Sequence, residues 1–421
     1  MDNSEDQNTP ASVVDVLSER LKRILLGAPR SIKDPTIFHK ISLIAFLAWV
    51  GLGADGLSSS AYGPDEAMRA VGTHTYLAIG LALATAFTVF IISYAYSRIV
   101  EHFPFGGGGY VVASRLLGPK FGVLSGSALL VDYVLTISVS IASGVDQVFS
   151  FLGPGVIPLK MLVVISVILM LTILNLRGVK ESVTILMPIF SLFLLTHAIL
   201  ILGGLTGHLF ESSHVVGEIN SGFQNDLTTL GFVGMFAIFI RAYSMGAGTY
   251  TGIEAVSNGI QIMREPKVAT AQRTMIYIAV SLAVTAGGIL VLYLLYHVLP
   301  VEGKTMNAVL LENFAGQWIA GGVPIGKIFV VTTLIAEAAL LFVAAQPPLE
   351  VVRLLPRLLP SLVFHRGPLL VPDIGKLVSC QEESALLASK TLGGSVKEHD
   401  AATFRALLIQ LARGRAVAGP P

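Results

Sequence analysis

The sequence has almost no cysteine and little charge. Cys380 is the single cysteine among 421 residues, which excludes an internal disulfide framework. Charged side chains make up 13% of the chain, whereas soluble proteins carry about 25%. The net charge of +1 offers no basic surface for nucleic acid. The nine histidines show no metal-ligand spacing, and no Ser-His-Asp or Cys-His grouping stands out. We therefore predict no enzymatic activity and no cofactor.

Long apolar runs dominate the rest of the sequence. Hydrophobic residues make up 53% of the chain and the mean hydropathy is +0.74, which is typical of an all-α protein that crosses a membrane several times. Windows of about 20 residues divide these runs into predicted spans. The first, third and sixth are longer than one crossing needs, which favours tilted or broken helices. The eight predicted spans cover residues 39–70, 75–100, 119–150, 157–176, 182–205, 228–262, 273–298 and 323–346.

Basic residues predict on which side of the membrane the loops lie. Lys and Arg cluster before the first span and in alternate loops after it, whereas the long loop 206–227 has none. Because loops rich in Lys and Arg stay in the cytoplasm, we predict a cytoplasmic N-terminal segment over residues 1–36. Residues 12–26 of this segment are amphipathic at helical spacing, which fits either an interfacial helix on the bilayer or an ordinary packed helix.

Asp55 lies in the middle of the first predicted span, inside the glycine-rich stretch 51–59. A charged side chain at this depth costs about 2.5–3.5 kcal/mol on insertion scales, so it needs a partner or a function. The glycines predict that the helix unwinds there. Tyr62 follows seven positions later and would share a helix face with Asp55. The alternative is a packing seam in which Asp55 caps the second half-helix, and for the nearby serines we favour a structural role.

A polar stripe runs along the third predicted span. Asp132, Thr136 and Ser140 recur every four residues and share one helix face, with Tyr133 beside them. Hydroxyl groups in membrane helices often only bond a carbonyl one turn back, which would account for Thr136 and Ser140. This alternative does not account for Asp132. We therefore favour a stripe that lines a polar cavity.

The sixth predicted span has a second glycine-rich interruption, over 244–252, which contains Thr251 and is followed by Glu254. Two interrupted spans at corresponding positions predict an inverted-repeat transporter with its site at the bilayer midplane. Freed carbonyls beside a carboxylate suit a dehydrated alkali cation, and a buried glutamate also suits proton carriage. The structural alternative pairs Glu254 with Arg241, although about three helical turns separate them.

The glycine-rich segment 104–110 looks at first like a phosphate-binding loop. It lacks the Lys-Ser/Thr ending of such loops and no strand precedes it, so we expect no nucleotide site there. We predict instead a re-entrant or gating loop on the cytoplasmic side of the membrane.

The sequence changes character after Gln346. Six prolines between residues 347 and 372 break any helix long enough to cross the bilayer. We therefore predict a transmembrane domain over 37–346 and an irregular tail over 347–421. Because an inverted repeat with two five-span halves needs about ten spans, we interpret the switch as a truncated or frame-shifted product and expect the 421-residue chain to be defective in transport.

These motifs resemble the amino acid–polyamine–organocation superfamily, whose fold is that of LeuT, and within it bacterial potassium uptake permeases of the KimA type. The most specific parts of the resemblance, which covers about residues 35–346, are the segments 54–66 and 251–259. It implies an all-α, LeuT-like inverted-repeat fold with broken first and sixth helices and, here, an incomplete second repeat. By position it implies a cation site, with potassium at the same residues, formed by Asp55, Tyr62, Asp132, Tyr133, Thr136, Ser140, Thr251 and Glu254.

The resemblance also implies a function, namely proton-coupled potassium uptake across the bacterial inner membrane, with potassium and protons as the transported species. An amino acid or polyamine permease of the same fold is the alternative, although a site for a substrate carboxylate gains nothing from two buried acids. A truncated membrane protein that transports nothing is a further alternative. The family's last four spans and its cytosolic regulatory domain, which helps to hold a dimer, are not visible after Gln346, so a homodimer stays open.

Overall fold

The computed structural model describes residues 43–176, 183–208 and 212–346. Within these ranges the chain is helical, with two isolated backbone bridges and no strand. The predicted all-α class is therefore confirmed. The predicted N-terminal helix and the tail over 347–421 lie outside the described residues, and the predicted domain limits stay predictions.

The helices are numbered here in chain order. Short 3-10 turns join several of them, at Ser59–Ala61, Pro154–Leu159, Gly246–Tyr250 and Ile260–Ile262. The α-helices are α1 Ala45–Ser58, α2 Gly63–Val71, α3 Leu77–His102, α4 Gly108–Val112, α5 Pro119–Leu152, α6 Lys160–Leu176, α7 Val183–Gly207, α8 Ser212–Thr229, α9 Gly231–Met245, α10 Ala255–Asn258, α11 Lys267–Leu295, α12 Met306–Ala315 and α13 Ile325–Ala344.

Seven helical segments in the described part of the chain are long and apolar enough to cross a membrane. They match the second to eighth predicted spans. The first predicted span is divided between α1, with 14 residues, and α2, with 9 residues, and each piece is too short to cross alone. The structure also places α8 over most of the predicted loop 206–227 and the first two residues of the sixth predicted span, and it places α12 between the last two spans.

The first break lies further along the chain than predicted. α1 continues through Asp55 and ends at Ser58, and the 3-10 turn Ser59–Ala61 follows. Pro64 explains this position. Proline has no N–H to donate to the carbonyl of Ser60, and its ring would clash with that carbonyl in a continuous helix.

The glycines of α1 allow close packing instead of unwinding. A Cβ atom on Gly53 would lie 2.9 Å from Ile278 of α11, and one on Gly51 would lie 3.1 Å from Val183 of α7. Both distances are shorter than ordinary contacts between carbon atoms. The packing-seam interpretation therefore describes Gly51 and Gly53 correctly.

The second break lies where the sequence predicts it, within 244–252. α9 ends at Met245 and the 3-10 turn Gly246–Tyr250 follows. Gly252 then has a φ of +83°, a backbone conformation that glycine adopts without steric cost. The helix that resumes, α10, is a single turn.

α11 forms the centre of the bundle. It packs against α3 and α1, and it also contacts α7 and α12. α13 packs against α5, α7 and α1. The turn Gly246–Tyr250 contacts α2 and the turn of the first break. The two broken spans therefore meet inside the bundle, where the other spans surround them.

Candidate cation site at the two helix breaks

Glycines allow the backbones of the two breaks to touch. A Cβ atom on Gly252 would lie 2.6 Å from the backbone nitrogen of Gly56 and 2.7 Å from Cγ of Asp55. A Cβ atom on Gly63 would lie 2.0 Å from the hydroxyl oxygen of Thr249. Any larger residue at either glycine would separate the two spans. The contact thus places the Asp55 carboxyl directly against the second break.

Hydroxyl groups fasten one break to the other. Tyr62 donates to the carbonyl of Gly248 at 3.2 Å, and its oxygen lies 3.3 Å from the hydroxyl oxygen of Thr251. Thr251 donates to the same carbonyl at 2.9 Å. Ser59 donates to the carbonyl of Thr249 at 2.8 Å. The predicted site residues Tyr62 and Thr251 are therefore neighbours, and Ser59 holds the structural role that the sequence favours for the serines.

Three carboxyl groups face this contact. Those of Asp55, Asp132 and Glu254 lie within electrostatic range of one another, and each is partly buried. The hydroxyl of Tyr62 is within range of all three, and that of Tyr96 is within range of Asp132 and Glu254. None of the three acids forms an ion pair with another described residue. Any negative charge on this cluster would therefore need a cation or a proton to compensate it, because a buried unpaired charge is costly.

Arg241 does not neutralise the cluster. Its side chain is exposed on α9, as are those of Phe236 and Ile240, and it has no ion pair within the described part of the chain. The backbone N–H groups of Gly252 and of Glu254 itself approach the Glu254 carboxyl instead. The structural alternative, in which Glu254 pairs with Arg241, does not occur in this structure.

The predicted stripe of the third span lies on α5, on a face that points into the bundle. Tyr133, Thr136 and Ser140 are buried, and Asp132 is half-buried. Ser138, on the exposed side of α5, donates to the carbonyl four residues earlier at 2.9 Å. No such bond forms at Thr136 or Ser140 among the described residues, so their hydroxyls are available to a ligand.

The acids do not form a chelating group. No three His, Cys, Asp or Glu side chains among residues 43–176, 183–208 and 212–346 converge closely enough to hold a metal ion. A cation between the breaks would therefore take most of its oxygen ligands from carbonyls and hydroxyls, as in carbonyl-built channel filters. The donors that the breaks supply suit a monovalent cation that has shed its water.

The predicted gating loop 104–110 packs against the end of the sixth span. Gly108 has a φ of +48°, and a Cβ atom on it would lie 2.5 Å from Oδ1 of Asn258. Gln261 donates its side-chain N–H to the carbonyl of Pro104 at 3.1 Å. The loop thus contacts the chain just after the second break, and its gating role stays a prediction.

A second buried polar cluster lies behind the first break, and the sequence analysis missed it. The cluster consists of His197, Tyr293, Asn307 and Glu337, all fully or almost fully buried. The sequence contained a signal for two of them, because His197 and Glu337 are ionisable residues within apolar spans. Their pairing depends on the packing of α7 against α13, which no local pattern reveals.

Comparison with known sequences agrees with this architecture. The sequence model of the amino acid permease family matches residues 42–347. The chain therefore belongs to the amino acid permease family, a family of membrane transporters rather than enzymes. The LeuT-like fold with broken first and sixth helices is confirmed, and the chain is a multi-pass membrane protein.

A curated relative adds detail within that family. The chain is 32% identical over 305 residues to the potassium transporter KimA of Bacillus subtilis (strain 168). The aligned region covers 70% of this chain and 48% of the relative. The chain thus spans about half the length of the curated relative that it matches. The resemblance to potassium permeases of this type is confirmed.

Proposed function

We propose that the protein takes up potassium ions across a bacterial inner membrane, coupled to protons, with its N-terminus in the cytoplasm. One observation carries the proposal. Asp55, Asp132 and Glu254 meet at the two helix breaks without a basic partner among the described residues. An uncompensated acidic cluster inside a membrane bundle marks a pathway for cations. The name of the Bacillus subtilis relative supports potassium as the cation.

Eight residues form the proposed potassium site. Carboxyl groups supply charge, and hydroxyls together with the carbonyls freed at the breaks supply the oxygen shell. The carbonyl of Gly248 already collects two hydroxyl groups at 3.2 and 2.9 Å, which keeps polar atoms at the break. The site residues are Asp55, Tyr62, Asp132, Tyr133, Thr136, Ser140, Thr251 and Glu254.

Charge balance supports the coupling to protons. One potassium ion compensates one of the three carboxylates, and each buried charge that stays uncompensated costs several kcal/mol. We expect the remaining carboxyl groups to carry protons while potassium is bound. Binding and release of the ion then change the protonation of the site, which is the requirement for symport.

An amino acid or polyamine permease is the second candidate. The description of the matching family favours it, and a substrate amine would also be attracted to the acidic cluster. A zwitterionic substrate would in addition need donors for its carboxylate, which half-helix N-termini provide in this fold. The third candidate, a membrane protein that transports nothing and pairs with another copy or with a longer permease, predicts cation binding without uptake.

Growth experiments separate the three candidates. Because the 421-residue chain is expected to be defective in transport, the gene is expressed with the last spans of the family restored. The hosts are a bacterium that lacks its own potassium uptake systems and amino acid auxotrophs that lack their permeases. The proposal predicts growth of the first strain at low external potassium, abolished in the double variant Asp55→Asn, Glu254→Gln. Growth of an auxotroph without a potassium phenotype would contradict the cargo assignment. Failure to rescue any strain, with protein present in the membrane, would favour the non-transporting candidate.

A further inference from the structure

His197 of α7 and Glu337 of α13 form a charged or protonated pair in the interior of the bundle. The ring nitrogen Nε2 lies 3.1 Å from Oε1 of Glu337, and both side chains are 0% exposed. Phe193 stacks on the imidazole with ring centroids 3.9 Å apart, which closes that side to water. The pair shares no member with the proposed potassium site.

The geometry fixes how many protons the pair holds. Nδ1 of His197 lies 2.9 Å from the carbonyl oxygen of Phe193. A carbonyl only accepts, so Nδ1 carries a hydrogen and, in a neutral ring, Nε2 is a bare acceptor. The carboxylate oxygen of Glu337 is also an acceptor. Two bare acceptors at this distance repel, so we infer that the pair carries one proton, on Nε2 or on the carboxyl group.

If the pair had only a structural role, we would expect each of its buried polar atoms to form a hydrogen bond. That is not the case here. Nε2 of His197 and Oε2 of Glu337 are both buried, and neither has a hydrogen-bond partner among the described residues. Leaving a buried carboxyl oxygen unsatisfied costs about 1–3 kcal/mol, and more if the group is charged. Such a group in a folded protein needs an explanation, and a role in holding and releasing a proton supplies one.

Asn307 connects the pair to the first helix break. Its side-chain N–H group donates to Oε1 of Glu337 at 3.2 Å and also reaches the carbonyl of Ala61 at 3.3 Å. Its oxygen accepts from the hydroxyl of Tyr293 at 2.5 Å, which fixes the orientation of the amide. Ala61 precedes Tyr62, whose hydroxyl contacts the second break. Movement of the first break therefore changes the donors around Glu337.

The remaining polar neighbours are few. Helices α1, α5, α7 and α12 pack against α13. His197 faces Glu337 from α7, and Tyr293 of α11 lies within electrostatic range of it. The paired Asp65 and Arg69 reach the cluster only through their effect on Tyr293. On α5, the neutral Gln147 bonds the carbonyl of Ala61.

We propose that His197 and Glu337 form an intramembrane proton-binding site that loads and releases a proton as the first helix break moves. Release transfers the proton of the pair to a water molecule as hydronium and leaves a neutral imidazole and a carboxylate; loading is the reverse. The inference rests on the proposed function, because it assigns one of the coupling protons to this pair. The site belongs to a different part of the bundle from the acidic cluster.

Calorimetry with proton counting tests the proposal. The purified 421-residue chain is titrated with KCl in two buffers of different ionisation enthalpy, which yields both the affinity and the number of protons exchanged on binding. Glu337→Gln keeps the shape of the side chain and removes its titration. Because Oε1 faces both Asn307 and His197, the amide satisfies one of these two neighbours. We expect this variant to bind potassium within about threefold of the wild-type affinity and to exchange about one proton fewer.

A second variant and two controls complete the experiment. His197→Gln should also lose about one exchanged proton, because it removes the other partner. His208→Gln removes an imidazole that directly follows the end of α7 and makes the same kind of bond, Nδ1 to a carbonyl at 3.0 Å. Glu312→Gln removes an acid that pairs with Lys304 at 2.6 Å near the surface. Both controls should match the wild type.

The outcomes separate this inference from the proposed function. Proton numbers that are unchanged in both Glu337→Gln and His197→Gln would overturn the inference and leave potassium binding intact. Absence of potassium binding in the wild type would overturn the cargo instead. In that case, the inference is still tested by potentiometric titrations of the wild type and of Glu337→Gln, which are compared for the number of protons each protein exchanges. One additional exchangeable proton in the wild type supports the site, and no difference overturns it.

Discussion

Asp55 and Glu254 both lie next to the glycine contact between the two helix breaks. The Cγ atom of Asp55 would lie 2.7 Å from a Cβ atom on Gly252, and Glu254 follows that glycine by two positions. The two acids lie within electrostatic range of each other and have no described ion-pair partner. At the scale of single residues, the account therefore depends on these two carboxyl groups.

Neutral amides at these positions should remove the site and leave the protein in the membrane. We expect Asp55→Asn and Glu254→Gln each to weaken potassium binding at least about tenfold, or about 1.4 kcal/mol. The amount of protein in the membrane should not fall, because each variant removes a charge that costs about 2.5–3.5 kcal/mol at this depth. Calorimetry measures the potassium affinity, and immunoblots of membrane fractions measure the amount of protein in the membrane. Glu312→Gln is the control, and wild-type affinity in either variant would return that acid to a structural role.

The sequence identifies single functional residues well where placing the side chain in a membrane costs free energy. An acid in an apolar span is expensive, so Asp55, Asp132 and Glu254 stand out without any structure, and the structure brings all three together. The same reasoning applied to His197 and Glu337 would have found a second cluster. The sequence could not have shown that the two residues are paired, because the pairing depends on a 3.1 Å contact between helices that are far apart in the chain.

At the scale of elements, the crossing of the two breaks depends on the backbone of Gly252. Its φ of +83° is unfavourable for any residue with a side chain, and a Cβ atom would lie 2.6 Å from the nitrogen of Gly56. We expect Gly252→Ala to lower the free energy of unfolding by about 1–3 kcal/mol and to weaken potassium binding as the spans separate. Thermal transitions in detergent measure the first effect.

Gly217 provides the matched control for that substitution. It lies inside α8, and a Cβ atom on it would meet nothing within 4 Å. Alanine at this helical position should be neutral or should stabilise the protein by about 0.5–1 kcal/mol. Equal thermal transitions for Gly252→Ala and Gly217→Ala would show that the crossing does not need a glycine.

The position of the first break shows what local patterns leave out. The glycines of the stretch 51–59 predict unwinding there, yet α1 is helical to Ser58. Two of those glycines are contact points for α7 and α11. The helix cannot continue beyond Ser58 because Pro64, four residues after Ser60, has no N–H for the carbonyl of Ser60. In the second break Gly252 packs against α1 and also has a φ of +83°, and there the prediction from glycine content is correct.

At the scale of the whole molecule, the apolar runs predict all eight spans and the fold class. Seven appear as helices long enough to cross, and the first appears as two pieces. Hydropathy predicts the spans because backbone N–H and C=O groups without hydrogen bonds are too costly in the bilayer core, so an apolar segment that crosses it must be helical. The helices α8 and α12 are not predicted from the sequence, because α8 is polar and α12 has only 10 residues, so neither forms an apolar run long enough to cross.

Selective binding of potassium is the central claim, and competition calorimetry on the purified 421-residue chain tests it most directly. Potassium chloride is titrated in a sodium background, and the titration is repeated in the presence of rubidium, lysine or putrescine. The account predicts saturable potassium binding that rubidium weakens, that lysine and putrescine leave unchanged, and that Asp55→Asn weakens at least about tenfold. Heat on addition of lysine or putrescine, with none on addition of potassium, would contradict the account and assign the acidic cluster to an organic cation.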